Sequence, residues 1–140
     1  WDNYPVNDGA DISKFLFIKA FTNRPDSLAQ MTTGHALNPM NQPWLSRIPL
    51  YSLPLSYSQG QHYDPEKALQ EGLTILCGEN LARQISKDVE CFQSEGLDNI
   101  DTTQSKHLIQ QYTRYDSPYA KEIIAWLKGE YVFDKECLTG

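Results

Sequence analysis

The sequence predicts a mainly α-helical fold of about five to six helices, with a proline- and aromatic-rich extended arm over residues 38–65. Three observations lead there. Between residues 64 and 128, apolar side chains recur at three- and four-residue spacing in four runs, each bounded by capping, proline or glycine signals. Five of the eight prolines (Pro39, Pro43, Pro49, Pro54, Pro65) crowd into the 28 residues from Asn38 to Pro65. Proline removes a backbone donor, fixes φ and pushes the preceding residue out of the helical region, so this stretch reads as neither a long helix nor a central strand. The apolar run Phe15–Ile18 stands just after Asp11, which reads as a helix cap.

The chain starts at Trp1, and Asp2, Asn3, Pro5, Asn7, Asp8 and Gly9 read as a loop joining something upstream. The expectation is a single domain that is a processed product, an excised domain or a trimmed chain, with a fragment of a larger protein as one open alternative. Ile12, Phe15, Leu16 and Lys19 favour a helix of about three turns over 12–21, although periodicity alone does not separate helix from strand in so continuous an apolar run. Pro25 starts a second short helix ending near Gly34. In the arm, Trp44, Leu45, Ile48, Leu50, Leu53 and Leu55 are too apolar for a solvated linker. The arm is therefore expected to pack on its own domain or on a partner, with Trp44, Leu45, Ile48 and Leu50 buried.

The acidic helical half, residues 64–128, is clearer. Asp64, Pro65 and Glu66 form a cap, a first-turn proline and a dipole-complementing acid. Leu69, Leu73 and Leu76 form the apolar stripe of a helix over 65–77 that Gly78 stops. Leu81, Ile85, Val89 and Phe92 predict a helix over 80–94 closed by Gly96. Asp101 caps a helix over 102–114 carrying Leu108, Ile109, Tyr112 and Tyr115. Ser117 and Pro118 open a helix over 118–128 carrying Ile123, Ile124 and Leu127, and Gly129 stops it. Tyr131, Val132 and Phe133 are a strand or a last packing segment. Gly72, inside the first of these helices, predicts close approach of a neighbouring backbone.

Charge narrows the function. The chain is 140 residues long with a net charge of −6. Residues 1–63 balance Lys14, Lys19, Arg24 and Arg47 against Asp2, Asp8, Asp11 and Asp26, so all the excess negative charge lies in residues 64–140. Nucleic-acid binding and anionic membranes want the opposite sign. No run of 18 apolar residues is present, so no membrane-spanning helix is expected, and secretion stays open because a leader would already have been removed. Cys77, Cys91 and Cys137 contain no Cys-x-x-Cys pair and read as buried thiols rather than as a zinc site or a disulfide framework.

Chemistry-bearing motifs are sparse. Ser56-Tyr57-Ser58-Gln59-Gly60 resembles the Gly-x-Ser-x-Gly elbow of α/β hydrolases, but Ser56 replaces the first glycine and Pro49 and Pro54 interrupt the strand the elbow needs. Ser58 therefore reads as part of a polar turn. His35, His62 and His107 have no metal-ligand spacing and read as structural residues. No cofactor, metal or catalytic residue is assigned. The aromatics of the arm, Trp44, Tyr51, Tyr57 and Tyr63, are the candidate partner-binding residues, since tyrosine and tryptophan bury apolar bodies behind a polar tip.

Two readings of function follow. The first is a non-catalytic interaction, regulatory or inhibitory domain that binds another protein through its aromatic arm or acidic face. Its partner is a protein with a basic surface or the remainder of its own parent chain. The second is a segment of a hydrolase, such as a secreted effector, whose catalytic set lies partly outside this chain. Under either, DNA and RNA are not ligands. A fluorescence-anisotropy titration at physiological salt is expected to show no micromolar binding; binding that weakens steeply as salt rises would contradict it.

Overall fold

A computed structural model describes residues 1–133. Its elements are helices α1 (Leu28–Met31), α2 (Pro43–Gln59), α3 (Pro65–Cys77), α4 (Glu79–Glu90), α5 (Thr102–Tyr112) and α6 (Pro118–Leu127). A π-turn over Cys91–Glu95 and 3-10 turns over Gly60–His62 and Leu97–Asn99 join them. The fold is mainly α, as the apolar stripes require. None of the described helices is long and apolar enough to cross a membrane.

The second half forms where its signals lie. Asp64 caps α3 by accepting from the Glu66 and Lys67 amides (3.0 and 3.2 Å), and Asp101 caps α5 by accepting from Thr103 and Gln104 (both 2.8 Å). Ser117 stands before α6 without a side-chain capping bond. Leu69, Leu73, Leu81, Ile85, Val89, Phe92, Leu108, Tyr112, Ile123 and Trp126 are buried in one cluster. Only Gly78 separates α3 from α4, in the expected tight pair. Tyr131 and Val132 lie in a turn rather than a strand, and the Phe133 amide donates to Ser13 Oγ at 3.0 Å.

The first half departs from expectation in four ways. The segment 38–65 is not an extended arm: residues 43–59 form the longest helix among the described residues, despite Pro49 and Pro54 inside it. Pro43 occupies the first helical position, where its missing donor costs nothing. The two internal prolines each remove one helical hydrogen bond, and packing offsets that loss. Leu45, Ile48, Pro49, Ser52 and Leu53 are buried against α3 and α6. Tertiary burial routinely overrides propensity in this way.

The helix's first turn is also satisfied from outside. Glu122 on α6 accepts from the Trp44 amide at 3.0 Å and the Leu45 amide at 2.8 Å, so a carboxylate 77 residues away serves as the cap that Gln42 does not supply. Glu122 is only 7% exposed. Burial pushes its carboxyl above the usual range, and the two amides pull it part of the way back.

The second departure is Trp44, which is 42% exposed rather than buried, while Leu45 and Ile48 carry the core contact and Leu50 is half-buried. The helix turns Trp44 outward, edge-on to Tyr119 (5.7 Å between ring centres) and beneath Arg47 (5.1 Å). Third, residues 12–21 contain no helix. Leu16, Ile18 and Ala20 are buried at a period of two, the spacing of extended chain. The backbone there is satisfied by other elements: the Leu16 amide donates to Phe92 O (3.1 Å), Lys19 to Gln93 Oε1 (2.8 Å) and Phe21 to Ser52 Oγ (2.9 Å). Fourth, the short helix after Pro25 shrinks to the single turn α1.

Two glycines explain close approaches. Gly72 faces the ring of Tyr51 rather than a backbone: an added Cβ would lie 2.9 Å from Tyr51 Cδ1. At Gly96, φ is +72° and a Cβ would sit 2.5 Å from Phe15 Cε1, so this position needs glycine on both counts.

Removing the remote cap tests this account of α2. Glu122→Ala leaves two first-turn amides, one of them buried, without an acceptor and is expected to cost about 1–3 kcal/mol in chemical denaturation. Glu122→Gln keeps one acceptor and is expected to cost less. Equal stability of Glu122→Ala and wild type would show that α2 does not need the cap.

Candidate functional site

A cavity of about 410 Å³ lined by converging polar side chains lies between the first residues of the chain, the turn at 23–24 and the end of α2. It is lined by Trp1, Asp2, Asn3, Arg24, His35 and Tyr57, among others. Asp2 is brought there by main-chain pairing: its amide donates to Ala36 O (2.9 Å), and its carbonyl accepts from the Asn38 amide (3.0 Å). These two bonds form a single parallel bridge between Asp2 and Leu37.

Asp2 is the centre of the site. Arg24 Nε donates to Oδ2 and Nη2 to Oδ1, both at 2.8 Å, in a two-pronged guanidinium–carboxylate pair. The Tyr4 amide adds a third donor at 3.0 Å. The Arg24 hydrogen bond is the largest of the influences that hold the Asp2 carboxyl down at about 2, against a modest opposing effect of burial. Arg24 is held in turn, with Nη1 donating to Thr22 O and its guanidinium 5.2 Å from the Phe21 ring centre.

His35 joins this carboxylate to α2. Its Nε2 lies 3.1 Å from Asp2 Oδ2 and its Nδ1 2.5 Å from the Tyr57 hydroxyl. A carboxylate can only accept, so in the neutral ring Nε2 carries the proton and Nδ1 accepts from Tyr57 O–H. The chain Tyr57–His35–Asp2–Arg24 therefore fixes one tautomer and ties the first strand-like segment to the last turn of α2. Its chemistry is positional: every polar atom of the Asp2 carboxylate is committed to a partner. At the cavity rim Trp1 is 85% exposed, and its Nε1 donates to Asn3 Oδ1 at 2.9 Å.

A second polar cluster braces the loop behind it. Buried Asn7 donates through Nδ2 to Phe15 O (2.9 Å) and Gln42 Oε1 (2.8 Å), and its Oδ1 accepts from the Asn41 amide (2.9 Å).

Of the four aromatics predicted to bind a partner, only Tyr57 reaches the cavity. Tyr51 donates to Glu71 Oε1 across α2 and α3, and Tyr63 donates to Phe21 O at 2.9 Å. Trp44 lies 13 residues before Tyr57, roughly 20 Å along the helix axis. The four do not converge. Ser58 lies within α2, exposed, its hydroxyl donating to Leu55 O at 3.3 Å, so no strand–turn–helix elbow surrounds it. His62 ends a 3-10 turn and His107 lies on the exposed side of α5. Cys77 and Cys91 are half-buried and form no disulfide among the described residues. Burial pushes their thiols up to about 12 and about 11, which suits packing rather than nucleophilic attack. Cys137 lies outside the described residues. Among the described residues no group of three or more histidine, cysteine or acidic side chains could hold a metal ion.

The sequence marks His35 only as a structural residue and does not single out Asp2 or Arg24. They lie in three loops, and a pairing of residues 22 and 33 positions apart leaves no local spacing to read.

A family model described as NAGidase: beta-N-acetylglucosaminidase matches residues 1–93. Those residues include every side chain of the Asp2 cluster. No curated protein matches the chain. Among solved structures, a mutant of the Thermobaculum terrenum O-GlcNAc hydrolase is similar, with a TM-score of 0.65 and 24% identity over 94% of this chain. At that identity the likeness is one of fold. The match covers 34% of the other chain, so this sequence spans about a third of that structure's length. These findings favour the hydrolase-segment reading over the non-catalytic interaction domain.

The electrostatics give a direct test. The folded-state pKa of Asp2 is depressed, so its contribution to stability is complete above the ordinary value of 3.8 and is lost as pH falls towards about 2. Between pH 4.5 and 2 the wild type is expected to lose on the order of 1–2 kcal/mol more than Asp2→Asn, allowing for solvent screening of the pair. Parallel acid-denaturation curves for the two proteins would mean that the Arg24 pair contributes nothing.

Proposed function

Because this chain belongs to the beta-N-acetylglucosaminidase family, we propose that it is a segment of a glycoside hydrolase that removes β-linked N-acetylglucosamine from a glycoconjugate. The observation that carries this reading is the family match over residues 1–93, which spans the first four helices and the whole Asp2 cluster. Glycoside hydrolysis as usually performed needs two carboxyl groups converging on one bond. In this reading the remainder of the parent chain supplies part or all of that pair. The present segment holds one wall of the cleft.

The geometry agrees with that role. The Asp2–Leu37 pairing is parallel and spans 35 residues, the length of a crossover connection. Parallel strands are normally buried within larger sheets, so this bridge is a natural seam to the rest of the protein. Trp1 presents an exposed indole face and Asn3 an amide beside the cavity, a pairing suited to a sugar ring and its hydroxyls. Trp44, edge-on to buried Tyr119 and beneath Arg47, is a second exposed aromatic and in this reading contacts the remainder of the parent chain rather than an independent partner.

The test is release of para-nitrophenol from para-nitrophenyl N-acetyl-β-glucosaminide by the full-length protein. Turnover is expected. Asp2→Ala, which frees the strand bearing Trp1 and Asn3, is expected to lower kcat/KM on the order of ten- to a hundredfold. Absence of turnover on this and on N-acetylglucosamine-bearing peptides would defeat the assignment.

A further inference from the structure

We propose that the groove between α4 and the end of α5 is a binding site for the dianionic group of a phosphate monoester. The groove, about 380 Å³, is lined by Asn80, Arg83, Gln84, Lys87, Arg114 and Tyr115. Three cations thus meet in one depression of a chain whose net charge is −6. Lys14, Lys19, Arg24, Lys67 and Lys121 each pair with a carboxylate, whereas among the described residues none does so with Arg83, Lys87 or Arg114.

Asp88, beside Lys87 on α4, is engaged through one carboxylate oxygen. Asp88 Oδ2 accepts from the Tyr112 hydroxyl and from Gln84 Nε2, both at 2.8 Å. That leaves Arg83 and Lys87, one helical turn apart, as a like-charged pair on the same face, an arrangement that disfavours the isolated helix. Arg114, just beyond the last turn of α5, brings a third positive charge to the same space. An anion in the groove relieves this repulsion.

The donors suit phosphate. Arg83 is oriented by Nη2 donating to Asn80 Oδ1 at 2.8 Å, with a weaker bond from Nε to Glu79 O at 3.4 Å. Among the described residues, Arg83 Nη1 and the guanidinium of Arg114 have no hydrogen-bond partner. Guanidinium forks match two phosphate oxygens at once, and a lysine ammonium serves as a point charge for the third. Tyr115 bounds the groove with a hydroxyl 3.5 Å from Asn80 O. The groove is open along α4, which leaves room for the group to which the phosphate is esterified. None of these residues belongs to the Asp2 cluster, so the proposal stands apart from the hydrolase reading.

The probe is inorganic phosphate, titrated calorimetrically into the full-length protein at constant ionic strength, with sodium sulfate and sodium chloride as parallel arms. Saturable phosphate binding is expected, tightening several-fold from pH 6 to pH 8 as phosphate gains its second charge. No histidine lines the groove, and sulfate affinity should stay level over that range. Arg114→Ala, or Arg83→Gln should the first variant lose its native circular dichroism, is expected to weaken phosphate binding about tenfold. Lys106→Ala, an exposed cation on α5 outside the groove, should change it less than twofold. A response equal to that of chloride, sulfate binding tenfold tighter than phosphate at pH 8, or unchanged affinity in the Arg114 and Arg83 variants would each overturn the proposal.

Discussion

Helix α2 exists because its neighbours replace what its own sequence withholds. Pro49 and Pro54 delete two of its internal hydrogen bonds, and Gln42 provides no side-chain cap. Glu122 reaches across from α6 to accept from the first-turn amides, while α3 and α6 cover Leu45, Ile48 and Leu53. The helix in turn places Ser52 under Phe21, Tyr51 against Gly72 and Tyr57 against His35. Both the packing of the extended segment and the anchoring of the Asp2 cluster depend on it. An isolated peptide of this sequence has neither the cap nor the cover, and short helices are marginal in water even without proline.

That dependence explains what could be read in advance. In residues 64–128 the instructions are local: Asp64 and Asp101 cap the helices that follow them, Gly78 and Gly96 adopt positive φ at helix ends, and each stripe faces the core. The first half is specified by distant residues. Phe15–Ile18 is continuously apolar, so periodicity could not decide its state, and the bonds that hold it extended come from Phe92, Gln93 and Ser52. The prolines of α2 were correctly read as hostile to helix; the unseen quantity was the burial that outweighs them. Trp44 faces outward because helical geometry, not extended geometry, sets its direction.

The candidate site was less legible than the fold. Tyr57 was named among the aromatics, but for its ring rather than its hydroxyl. Asp2, Arg24 and His35 have no spacing that ties them together until the backbone places residues 2 and 37 side by side. Family membership therefore came from comparison over residues 1–93, not from a motif. The local motif that did suggest hydrolysis, around Ser58, is an ordinary helix end.

The extended segment also carries a consequence for how the chain is made. Ribosomal synthesis delivers residues 13–21 well before the groups that satisfy their backbone. Lys14 O waits for the Leu97 amide, Leu16 N for Phe92 O, and Ser13 Oγ for the Phe133 amide 120 residues on. Contacts of such sequence separation form slowly, and apolar segments without partners are where nascent chains aggregate. Phe15-Leu16-Phe17-Ile18 thus emerges as a sticky, unpaired ribbon that only a nearly finished helical half can receive. Fusions or truncations that delay α4 and its π-turn are expected to prolong the exposure.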